Sequence, residues 1–127
     1  MIAIIDYNAG NITSVARALQ SIGQEFIITD DAKKLDAASR VIFPGVGAAG
    51  EAMAYLRQKK LDVWLRDYIK TGKPLLGICL GTQIILDYSE ENDTPCVSLV
   101  AGSTRRFPET LAFNGELLKI PHMGWNS

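Results

Sequence analysis

The chain holds one histidine, two cysteines and no run of Lys or Arg longer than two, and its apolar runs are short. Each scarcity excludes something. With 21% charged residues and a formal net charge of −1, nothing marks a nucleic-acid footprint or a polybasic membrane patch. The apolar stretch at residues 1–5 is cut by Asp6, so it reads as neither a signal peptide nor a membrane span. Cys79 and Cys96 have no metal-ligand spacing and make no disulfide framework. No metal and no cofactor is expected, and a reducing cytoplasm is the simplest compartment. There is no internal repeat, low-complexity tract or linker. At 127 residues the chain is expected to be one domain that buries roughly two-thirds of its unfolded surface.

What is present is an alternation of strand and helix patterns. Residues 2–5 form a continuous apolar run, as in a parallel strand covered on both faces. Residues 7–11 read as a loop, and Asn11 as the N-cap of a helix. That helix places Val15, Ala18, Leu19 and Ile22 on one face and stops at Gly23. Strands follow at 26–28, 41–43 and 75–78, with helical stretches to 38, at 52–56, at 61–69 and at 82–88. The rhythm predicts an α/β fold with an open, doubly wound, mostly parallel sheet. After Ser89 the pattern turns strand-like. Residues 110–113 and 116–118 flank Asn114-Gly115, the pair a two-residue type I′ hairpin prefers.

The chemistry centres on Cys79. The pentad Gly77-Ile78-Cys79-Leu80-Gly81 follows the apolar Pro74-Leu75-Leu76 and precedes a helix. This is a G-x-nucleophile-x-G turn with sulfur in place of oxygen. A nucleophile on so sharp a turn takes a strained backbone, and flanking glycines let strand and helix approach. The helix N-terminus is expected to favour the thiolate, and the Leu80 N–H to serve a developing oxyanion. A second N–H is expected from Pro44-Gly45-Val46-Gly47, which follows a strand at the ligand-binding end of such a sheet.

Two other readings of the glycines and acids are weaker. Gly45-Val46-Gly47-Ala48-Ala49-Gly50 matches a dinucleotide fingerprint, but the acidic residue about twenty positions on would be Asp67, inside a helical pattern. A phosphoacceptor receiver could use Asp6, Asp30 and Asp31. It needs an aspartate after the third strand, where this chain has Pro44.

Taken together, Gly77-Ile78-Cys79-Leu80-Gly81-Thr82-Gln83 and Pro44-Gly45-Val46-Gly47 resemble the nucleophile elbow and oxyanion strand of class I, triad-type glutamine amidotransferases. Within that family, Asp6-Tyr7-Asn8-Ala9-Gly10-Asn11 and Lys119-Ile120-Pro121-His122-Met123-Gly124-Trp125-Asn126 are similar to the glutaminase subunits of imidazole glycerol phosphate synthases. The resemblance implies a flavodoxin-like strand order and places residues 1–127 as the N-terminal part of a single amidotransferase domain. It implies that Cys79 attacks the side-chain amide of glutamine, giving a thioester and ammonia. Leu80, with Val46 or Gly47 after a peptide rearrangement, would supply the oxyanion N–H groups. Gly45, Gly47 and Gln83 would contact glutamine. Asn11, Pro121, His122, Met123, Gly124 and Trp125 would face a (β/α)8-barrel cyclase subunit that takes the ammonia into histidine biosynthesis.

One departure is severe. The family's triad also needs a His-x-Glu pair, carried in a segment beyond residue 127. His122, followed by Met123-Gly124, belongs to the interface motif and is not assigned as the base. The 127 residues alone are therefore expected to have little or no glutaminase activity. They are also expected to form an incomplete sheet, with reduced stability or exposed apolar surface. Another cysteine hydrolase of the same fold, and a non-catalytic binding module, remain alternative readings.

Overall fold

The computed structural model describes residues 1–8 and 11–121. Four parallel strands make the main sheet: β1 (Ile2–Ile5), β2 (Phe26–Thr29), β3 (Arg40–Phe43) and β4 (Leu75–Gly77), in the order β2-β1-β3-β4. The helices between them are α1 (Ile12–Ser21), α2 (Ala32–Ala37), α3 (Ala49–Gln58) and α4 (Leu61–Lys70). A short α5 (Leu80–Ile84) follows β4. The chain thus winds in both directions from β1, as the alternating pattern predicts.

Period-2 alternation along the strands divides the core in two. Ala3, Ile5, Val41 and Phe43 point to the face covered by α2 to α5, with Leu35, Met53, Leu56, Leu65 and Ile84. Ile4 and Ile42 point the other way, under Ala16 and Leu19 of α1. Leu76 is on that second face, in register with Ile42, but is 55% exposed. Among the described residues β4 has only β3 as a neighbour in the sheet. Part of the exposed apolar surface lies at this edge, at Leu76; more lies on the hairpin at residues 112–117, where Phe113 and Leu117 are exposed.

Two local expectations are corrected. Asn11 does stand at the N-cap position of α1, but in a left-handed conformation whose side chain caps no backbone N–H; it accepts from the Ser14 hydroxyl instead. The buried side of α1 carries Ala16 and Leu19, with Ile12 and Val15 packed beside them, while Ala18 and Ile22 are exposed. The Gly23 stop holds: its N–H reaches the Gln20 carbonyl and that of Gln24 reaches Leu19, a Schellman closure.

The predicted helix at 82–88 starts earlier and ends at Ile84. Its closing carbonyls are captured from outside. The N–H groups of Val97 and Leu99 donate to Ile84 and Ile85 at 2.9 and 2.8 Å, and Ser98 donates to Leu86 at 2.9 Å. Tyr88 enters a small second sheet of β5 (Tyr88–Ser89), β6 (Thr94–Pro95) and β7 (Ser103–Thr104). The Asn114-Gly115 hairpin is present as β8 (Ala112–Phe113) and β9 (Glu116–Leu117), with φ of 52° and 82° at its two turn residues.

Candidate functional site

Cys79 joins β4 to α5 with φ 53° and ψ −114°, a conformation that costs a non-glycine residue about 1–3 kcal/mol. Its neighbours hold it there. The Ile78 N–H donates to the Phe43 carbonyl at 3.0 Å, and the Thr82 N–H to Cys79's own carbonyl at 2.9 Å. A Cβ on Gly81 would lie 1.8 Å from the Phe43 carbonyl oxygen, so α5 can cross β3 this closely only with glycine there. At Gly77 the same addition would meet Thr82 backbone at 3.0 Å. The turn thus presents an exposed Cys79, while Cys96 is buried. Burial pushes the Cys96 thiol up against a smaller opposing pull from Arg57.

The segment after β3 meets this turn. The Leu80 N–H donates to the Gly45 carbonyl at 3.3 Å, so in this arrangement that donor is already engaged. The α5 helix is only five residues long, which leaves little dipole at Cys79. Gly47 has φ 118°, accessible in practice to glycine, and the neighbouring Val46 side chain is 43% exposed. Val46, Gly47 and Leu80 line one pocket of about 130 Å³, together with Tyr7 and Glu51.

Gln83 is half-buried in the first turn of α5. It opens on a groove of about 720 Å³ that carries acids and bases together: Glu90, Glu91, Arg105 and Arg106, with Pro121 at its rim. Asn11 and Pro121 are both exposed; His122, Met123, Gly124 and Trp125 lie outside the described residues.

Sequence reasoning missed three residues that shape the site. Tyr7, 2% exposed, donates its hydroxyl to the Pro44 carbonyl and sets its ring edge-on to Phe43 at 5.0 Å. Burial, then the charge of a Cys79 thiolate, pushes the Tyr7 phenol well above its ordinary range, so it stays a neutral donor. Glu91 accepts from the Ala49 N–H at 2.9 Å, and Asn92 from Gly50 at 3.3 Å. These side chains occupy the N-terminus of α3, where a dinucleotide's pyrophosphate would have to sit. Asp67 is an exposed residue of α4, paired with Lys70 at 2.8 Å. Nothing in local pattern distinguishes Tyr7 or Glu91, because their partners are 37 and 42 residues away.

Among the described residues no three His, Cys, Asp or Glu side chains gather as a metal site, and no helix is long and apolar enough to cross a membrane.

The chain is similar over its whole length to curated proteins of one kind. It is 53% identical to imidazole glycerol phosphate synthase subunit HisH of Maridesulfovibrio salexigens, with 99% of this chain and 60% of the relative aligned. The HisH subunits of Nitratidesulfovibrio vulgaris and Pseudomonas putida are 52% and 45% identical, over 60% and 59% of their lengths and 100% and 98% of this chain. The chain thus spans about 60% of the length of these relatives. Among solved structures, one described as a glutamine amidotransferase superposes with a TM-score of 0.65 at 18% identity, covering 76% of this chain and 52% of the other. A putative peptidase E from Listeria monocytogenes gives 0.66 at 15%, covering 78% and 62%. At such identities these two speak for the fold alone. The family described as glutamine amidotransferase class-I matches residues 3–127. The chain, with Cys79 on its strained turn against residues 44–47, belongs to the class-I glutamine amidotransferase family.

Proposed function

We propose that this chain carries the nucleophile half of a glutaminase that feeds ammonia to the cyclase of imidazole glycerol phosphate synthase. The observation that carries the reading is Cys79 held at φ 53°, exposed, with its turn bonded to the segment at Gly45. In the reaction the Cys79 sulfur bonds to the amide carbon of glutamine, and the tetrahedral oxyanion collapses to a thioester as ammonia leaves. Water then attacks the thioester, giving glutamate and free thiol. Leu80 and Val46 or Gly47 supply N–H groups to the oxyanion once the Gly45 carbonyl has moved off Leu80. The groove beside Gln83 suits a zwitterionic amino acid, because its lining carries both acids, Glu90 and Glu91, and bases, Arg105 and Arg106. Asn11 and residues 121–125 meet the (β/α)8-barrel partner, and the reaction belongs to the cytoplasm.

The relatives named as HisH, about 50% identical over 99–100% of this chain, favour this reading over another hydrolase of the same fold. The one histidine among residues 1–127, His122, is followed by Met123-Gly124 rather than by the x-Glu of a triad, so this reading predicts at most marginal turnover by these residues alone. The test is glutamate release by the protein made from its full reading frame, with the cyclase present, against its Cys79→Ala variant. Loss of about three orders of magnitude or more is expected. Turnover that survives Cys79→Ala would overturn the proposal.

A further inference from the structure

Three contacts converge on Gly45. The Tyr7 hydroxyl bonds the carbonyl of the preceding residue, Pro44. The same hydroxyl sits where a Gly45 Cβ would be, only 1.6 Å from that position, with the Leu80 Cβ 3.4 Å away from it. The Gly45 carbonyl in turn covers the Leu80 N–H at 3.3 Å. Tyr7 itself cannot yield readily, since it is 2% exposed and its ring is set against Phe43, which is fully buried. The residues just beyond Gly45 are loosely held. Gly47 at φ 118° has no atom within 4 Å of a Cβ position, and Val46 is 43% exposed.

We propose that Tyr7 is a positioning residue that holds the 44–47 segment closed, with the Gly45 carbonyl on the Leu80 N–H. The hydroxyl acts through Pro44 and touches no reacting atom. Without it the buried Pro44 carbonyl loses its partner, and an unpaired buried carbonyl drives the segment to seek another bond. Any opening of the segment uncovers Leu80 as a donor. The inference rests on the glutaminase reading for what that donor does.

The test is Tyr7→Phe, which keeps the ring and removes the bond, in the protein made from its full reading frame. Amide exchange is followed at Leu80 and at Ile42, a core strand residue, and glutamine turnover is measured without the cyclase. One neutral buried hydrogen bond corresponds to about a fivefold effect. Leu80 is expected to exchange about fivefold faster while Ile42 is unchanged, and kcat to rise by a similar factor at unchanged KM. A merely structural role would speed both amides together. Exchange at Leu80 that is unaltered, or that rises in step with Ile42, overturns the proposal. So does a selective rise at Leu80 with no change in kcat. If Tyr7→Phe does not fold, the unaltered protein decides. It must show a slowly exchanging Tyr7 hydroxyl proton with a nuclear Overhauser contact to the Gly45 α-protons, and lack of one overturns the proposal. No glutamine turnover in the unaltered protein even after the cyclase is added overturns the glutaminase reading alone, and the exchange comparison still decides the role of Tyr7.

Discussion

Replacing Gly81 with alanine adds one methyl group at the closest backbone approach in the site. The new Cβ would lie 1.8 Å from the Phe43 carbonyl oxygen and 2.8 Å from its carbonyl carbon. Ordinary contact needs about 3.5 Å, so roughly 1.5 Å of separation must open between α5 and β3. Neither side yields easily. Phe43 is fully buried in the middle of the sheet, and its carbonyl also receives the Ile78 N–H at 3.0 Å, a bond that the shift would stretch or break. Overpacking of about 1–3 kcal/mol and a lost bond of about 1 kcal/mol give a destabilisation of about 2–4 kcal/mol. With a urea slope of about 2 kcal/mol/M, the unfolding midpoint falls by about 1–2 M. Gly77→Ala is the control, because its Cβ meets Thr82 at 3.0 Å and needs only a few tenths of an ångström. It is expected to lose about 1 kcal/mol. Equilibrium urea unfolding of both variants checks the ordering. A Gly81→Ala protein as stable as the parent, or more stable than Gly77→Ala, would refute the steric account of the elbow.

Other outcomes follow from the same geometry. At neutral pH iodoacetamide should modify exposed Cys79 at least about tenfold faster than buried Cys96, read by peptide mass; equal rates contradict the reading. Tyr7 is raised above its ordinary 10.0, so its contribution to stability is full below that pH and is lost as pH rises from there toward the raised folded value. Denaturation followed between pH 9 and about 11 should therefore show stability level to about pH 10 and falling above it, and Tyr7→Phe should lessen the fall. Asp31 caps α2 by accepting from the Lys33 N–H at 2.9 Å, so Asp31→Ala should cost about 1 kcal/mol in thermal or urea unfolding.

The strands of the main sheet and the elbow were legible because they rest on local signals, whereas the strand order came only from the family resemblance. Apolar runs broken by Gly23, Pro44, Gly72 and Pro74 mark the βα units, and Asn114-Gly115 selects its turn by tolerating positive φ at both residues. Cys79 could be singled out because only a tight strand-to-helix crossing explains glycine on both sides of it. What was not legible is set at long range. The α5 helix stops at Ile84 because residues 97–99 take the carbonyls at its end, and no periodicity within the helix announces that. The buried face of α1 is chosen by how it lies over Ile4 and Ile42, which brings Ala16 in and turns Ala18 and Ile22 out. Tyr7 reads as one aromatic in a loop until the fold brings Pro44 to its hydroxyl.

The central claim is that Cys79 is a nucleophile addressed by glutamine. Its most direct test is labelling of the protein made from its full reading frame, with the cyclase present, by a diazoketone analogue of glutamine. The account predicts one adduct, on the peptide carrying Cys79, with Cys96 unmodified and with glutamine slowing the labelling. Labelling spread over both cysteines, or unaffected by glutamine, would contradict it.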